Sequence, residues 1–175
     1  AASAAAAAAR AEAGPRDPGR GRAAMLRMSR RKLAKLIDVE RVRAAIAAAE
    51  RETSGEIRVS AAPFFWGTVR RVAERAFARM GMTATRERNG ILFFIVPSRR
   101  AFAVIGDEGI HAKVGQEFWD ALAGVLSAHF RKGAFTEGLV AAVAAAGDKL
   151  KAHFPYDPAT DRNELPDDVD FGRLR

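Results

Sequence analysis

The sequence contains no cysteine. That absence excludes a disulfide framework, a thiolate metal site and cysteine-based phosphatase chemistry, and it is compatible with any compartment. Long apolar runs are missing too. The longest strongly apolar stretch is Ile91–Val96, about a third of the ~20 residues that a membrane-spanning helix needs. The standard catalytic signatures are also absent. There is no dinucleotide or P-loop glycine pattern and no Gly-x-Ser-x-Gly elbow. His111, His129 and His153 have no metal-ligand spacing to one another.

What remains describes one folded domain. The chain has 175 residues, of which 49% are apolar and 29% charged, with a formal net charge of +8. The charge is uneven: residues 1–27 hold five arginines against Glu12 and Asp17, Arg30, Arg31, Lys32 and Lys35 follow, and the stretch from Asp157 is acidic. Residues 1–28 are rich in Ala, Gly, Pro and Arg and carry too few large apolar groups to offset ordering entropy, so they are expected to be a disordered leader. The Ala4–Ala9 run is too short and weakly apolar for a signal-peptide core, and Met25 or Met28 is expected to be the native start. No signal peptide is visible, so a cytoplasmic location is expected.

Periodicity organises the next part. Leu33, Leu36 and Ile37, then Val39, Val42 and Ile46, recur at helical spacing, with Asp38 able to cap a second helix. Gly55 is expected to stop that helix in a left-handed conformation. Glu56–Ala62 alternates, which predicts a half-buried strand with Ile57, Val59 and Ala61 inward. Val69, Val72, Ala76, Phe77 and Met80 predict a helix ended by Gly81. Asn89-Gly90 reads as a turn. Ile91–Val96, apolar throughout, predicts a central strand covered on both faces. Ala101–Ile105 follows across the Pro97–Arg100 turn as a hairpin partner. Two further helices are expected, one carrying Val114, Phe118, Leu122, Val125 and Phe130, the other Leu139, Val143, Gly147 and Leu150. Helices alternating with strands argue for a three-layer α/β/α sandwich. The domain is expected over residues 29–156, with residues 157–175 as an acidic segment packing partly on it.

Two clusters of oxygen donors stand out. Gly106-Asp107-Glu108-Gly109 ends a strand and precedes a helix, a place where ligands gather in open α/β sheets. It reads either as an ion-ligand turn or as an acidic helix cap. Asp161, Asn163 and Glu164, followed by Asp167, Asp168 and Asp170, form the second. A divalent cation takes about six to eight oxygens, so neither cluster suffices alone. Glu56, at the start of a strand, is a weaker candidate. Phe64-Phe65-Trp66 is expected to be core under a loop, and Trp119 core or a lid. Arg70, Arg71, Arg75 and Arg79 form a helix face expected to be solvated. Nothing interleaves aromatics with basic residues, so nucleic acid is not expected as a partner.

Several pieces resemble the TPM domain family, which also occurs in thylakoid-lumen proteins linked to photosystem II repair. They are Thr53-Ser54-Gly55-Glu56-Ile57-Arg58-Val59, Arg88-Asn89-Gly90-Ile91-Leu92 and Phe102-Ala103-Val104-Ile105-Gly106-Asp107-Glu108-Gly109-Ile110. Val114-Gly115 with Phe118-Trp119, Gly133-Ala134-Phe135 with Gly138-Leu139, and Asn163-Glu164-Leu165-Pro166 complete the set. The resemblance implies an α/β/α sandwich around a small mixed sheet of about four strands, one more than periodicity shows. It implies divalent-cation binding, Ca²⁺ or Mg²⁺, with Asp107, Glu108, Asp161, Asn163 and Glu164 as ligands and Glu56 as a weaker one. Phosphatase activity is the implied alternative, with Arg88 available to hold phosphate. A protein partner of unknown identity and a monomeric state are expected.

Overall fold

The computed structural model describes residues 28–159 and 168–172. Two N-terminal helices come first. Ser29 caps α1 (Arg30–Ala34), and Asp38 caps α2 (Val39–Glu50) by accepting from Arg41 N at 3.1 Å. Asp38 N in turn donates to Thr136 Oγ1 at 2.9 Å, which fastens the α1–α2 junction to the start of the helix Phe135–His153. The elements β1 (Ile57–Ala61), α3 (Val69–Arg79), β2 (Ile91–Val96) and β3 (Ala101–Gly106) follow, then α4 (Glu108–Lys113), α5 (Gln116–Phe130) and α6 (Phe135–His153).

The sheet order is β1-β2-β3. β1 runs parallel to β2, with Ile57 opposite Ile91, and β3 returns antiparallel, with Gly106 opposite Ile91. Parallel pairing is possible because α3 carries the chain back across the sheet. One face of the sheet places Ile57, Val59, Ile91, Phe93 and Val104 against α2, α5 and α6. The other places Leu92, Phe94, Ala103 and Ile105 under Val69, Ala73 and Phe77 of α3. β2 is therefore buried along its whole length, and the layers are α/β/α, as the apolar run and the helix stripes predict. No helix among the described residues is long and apolar enough to cross a membrane.

Five details differ from the sequence-based expectation. Among the described residues the sheet has three strands, and a single parallel bridge between Ser60 and Asp170 takes the place of a fourth. β1 is buried at all five positions rather than half-buried. The cause is that same bridge: Ala61 N donates to Asp170 O at 2.7 Å and Asp170 N to Val59 O at 2.9 Å, so residues 168–172 cover the outer edge. Gly55 does not stop a helix, since α2 ends at Glu50. A β-carbon on Gly55 would lie 2.6 Å from Leu150 Cδ2, so glycine is needed there for close packing. The predicted third helix is two, with Val114 and Gly115 as the break between α4 and α5. The aromatic loop is also split. Phe65 is buried, whereas Trp66 is 82% exposed.

Candidate functional site

The register puts Glu56, Gly90 and Asp107 in one row just beyond the sheet. Ile91 N donates to Glu56 O at 2.8 Å, and Asp107 N to Gly90 O at 2.9 Å. This is the end where β1 and β2 begin and β3 leaves.

Asp107 is fully buried and starts α4, with Oδ1 accepting from Glu108 N at 2.8 Å. Its charge is met by Arg88, whose Nε reaches Oδ2 at 2.7 Å and Nη2 reaches Oδ1 at 2.8 Å. Two parallel charge-assisted bonds of this kind fix geometry as well as charge. Arg88 Nη1 lies 3.4 Å from Glu108 Oε1, a half-exposed carboxylate. Donation to Asp107 holds the Arg88 guanidinium above its ordinary pKa, against the opposing effect of burial. The backbone of Arg88 is left-handed, with φ at +53°, and the turn lies at Thr85–Arg88, closed by Arg88 N donating to Thr85 O at 3.2 Å, rather than at Asn89-Gly90 as predicted. Its carbonyl accepts from Gly109 N at 2.8 Å and Ile110 N at 3.3 Å. Arg88 thus holds the start of α4 through both side chain and main chain.

A second polar group adjoins it. Ser54 Oγ donates to Glu87 Oε2, and Asn89 Nδ2 donates to Ser54 Oγ at 3.3 Å and to Glu87 Oε2 at 3.5 Å. Asn89 is 1% exposed, and its Oδ1 accepts no hydrogen bond among the described residues. Most buried side-chain oxygens have a partner, so such an atom calls for one. Glu87 and Asn89 are site residues that sequence reasoning missed. Asn89 was legible only as turn punctuation, and Glu87 carries no motif of its own.

The structure brings Asp107 and Glu108 together with Arg88. It does not bring Glu56 to them. Glu56 is buried two strands away, about 10 Å by strand spacing, and Gly90 stands between with Met82 and Phe77 packed over it. Asp161, Asn163 and Glu164 lie outside the described residues. The flanks of that stretch are described. Tyr156 N donates to Glu52 O at 3.2 Å, and Asp168 Oδ1 lies 3.6 Å from Arg43 Nη1. No group of three or more His, Cys, Asp or Glu is set to hold a metal among the described residues.

Chemically, this end is a clamp between a partly exposed arginine and a buried aspartate, next to a cluster of oxygen donors, on a three-layer α/β/α domain. A family model described as TPM domain matches residues 33–149. The chain belongs to the TPM domain family. Among solved structures it is similar to the BA42 protein of the psychrophilic bacterium Bizionia argentinensis, determined by NMR, with 32% identity and a TM-score of 0.73. That match covers 79% of this chain and 94% of the other. No curated protein matches the sequence.

Proposed function

We propose that this domain is a divalent-cation-binding module, for Ca²⁺ or Mg²⁺, whose ion-dependent surface docks a protein partner. The observation that carries the reading is Asn89 Oδ1, buried without a donor beside Glu87, whose own described partners are the uncharged donors of Ser54 and Asn89. Hard oxygen ligands of this kind suit Ca²⁺ and Mg²⁺.

The described residues fit part of such a shell. Glu87, Asn89 and the half-exposed Glu108 have oxygens to offer, and the rest would come from Asp161, Asn163 and Glu164 with water. Asp107 plays a different part in this reading. Both its oxygens are engaged by Arg88 and the α4 backbone, so it positions Glu108 and does not ligate. Glu56 does not reach the same ion.

Metal-assisted phosphoester hydrolysis is the alternative, and it needs a guanidinium for the phosphate. Arg88 is engaged by Asp107 and Glu108, which favours binding over hydrolysis. Amide NMR during Ca²⁺ and Mg²⁺ titration tests the reading. Saturating shifts are expected at Asn89, Glu108 and residues 157–168, and they should vanish in Glu87→Gln. No shift at these positions up to about 10 mM ion, beyond even weak extracellular calcium sites, would overturn it. Hydrolysis of p-nitrophenyl phosphate that Glu87→Gln abolishes would put the alternative in its place.

A further inference from the structure

The opposite end of the sheet carries a separate cavity of about 420 Å³. It lies between the Pro97–Arg100 turn and the junction of α5 with α6. Its floor is apolar: Phe102 meets Phe130 edge-to-face at 5.7 Å, and Phe130 meets Phe135 at 5.0 Å. Its rim carries two guanidinium groups, Arg100 and Arg131. Arg131 Nη2 donates to the buried Ser127 Oγ at 2.9 Å, which sets the group over the cavity. Among the described residues no carboxylate pairs with either arginine.

Arg100 is also strained. Its φ and ψ are +46° and +41°, a left-handed conformation that is unfavourable for a side-chain-bearing residue and that glycine adopts freely. Strained positions of this kind cluster where a side chain serves a ligand. We propose that this cavity binds a small organic oxyanion with an apolar body: a carboxylate or phosphate monoester on a short hydrocarbon or aromatic skeleton. The volume falls in the ordinary range for small-molecule sites. A bare inorganic anion leaves the three phenyl rings uncovered, and a neutral hydrocarbon leaves both guanidinium groups without a counter-charge. Only a molecule with both halves satisfies floor and rim. The proposal does not depend on the ion site at the other end of the sheet.

The test uses octanoate as probe, octanol and acetate as its two halves, and amide NMR as readout. Octanoate is expected to shift Ala101, Ser127 and Gly133 with saturation, and each half should bind at least ~10-fold more weakly. Arg131→Ala and Arg100→Gly should each weaken octanoate ~10-fold, with Arg100→Gly leaving Tm unchanged or raised. No shift with octanoate up to about 10 mM overturns the proposal, since affinities weaker than that are scarcely specific. Equal binding of octanol, or unchanged affinity in both arginine variants, overturns it as well. Phosphatidylglycerol vesicles assign the source. Pelleting that Arg100→Gly abolishes points to a lipid, and octanoate binding without pelleting to a free metabolite.

Discussion

Arg88 and Asp107 stand 19 positions apart in sequence and meet through two bonds of 2.7 and 2.8 Å, with Asp107 wholly shielded from water. Removing one member of such a pair leaves a buried charge without compensation. Arg88→Ala is expected to cost about 3 kcal/mol. Asp107→Asn keeps an oxygen for the helix cap and should cost less, about 1–2 kcal/mol. Urea unfolding of the two single variants and the double variant measures the coupling. Strictly additive losses would show that the pair is not the clamp.

Glycine substitutions should separate crowded sites from open ones. A β-carbon on Gly106 would stand 2.1 Å from Trp119 Cη2, and one on Gly109 would stand 2.2 Å from the Glu87 carbonyl oxygen. Gly106→Ala and Gly109→Ala are each expected to lose about 2–3 kcal/mol by overpacking. Gly124 lies within α5 with nothing near its absent β-carbon. Gly124→Ala should gain about 0.5–1 kcal/mol from helix propensity. Thermal melts of the three variants decide, and a stable Gly106→Ala would refute the packing around Trp119.

Asp170 gives stability a pH dependence at the acid end. Burial raises its pKa, but donation from Arg79 and Ser60 outweighs that, and the net position is below the ordinary 3.8. A depressed carboxylate stabilises the fold fully above its unfolded value and loses that contribution as pH falls through the folded one. The unfolding midpoint of the parent should therefore fall more steeply below about pH 4 than that of Asp170→Asn. Parallel curves for the two proteins would argue against the Arg79–Asp170–Ser60 contact.

The two tryptophans should report opposite environments. Trp66 is 82% exposed, packed only edge-on against Phe64, and Trp119 is fully buried. Trp66→Phe is expected to leave blue-shifted emission that acrylamide barely quenches, with stability changed by less than about 0.5 kcal/mol. Trp119→Phe should leave red-shifted, quenchable emission and cost roughly 2 kcal/mol or more from the cavity it opens. Similar quenching in both variants would contradict the assignment.

The sequence is most readable where a signal is local. Ile91–Val96 announces a doubly covered strand by being apolar at every position, and the stripe from Val69 to Phe77 announces the helix that covers it. Asp107 is recognisable as a cap or a ligand from the glycines around it, and the structure makes it a cap. Its pairing with Arg88 is not readable, because strand register, not sequence distance, creates it. The burial of Arg58 and Ser60 escapes an alternation argument for the same reason. Polar residues predict solvent until a distant segment covers them, and here that segment lies 110 positions downstream.

That distant cover has a consequence for how the chain is made. Before residues 168–172 leave the ribosome, the Val59 carbonyl and the Ala61 amide point outward along an open edge. An edge of this kind invites a strand from a neighbouring molecule. The strand edge of β1 is therefore sticky for as long as it stays uncovered, and residues 168–172 work as a built-in guard against strand exchange.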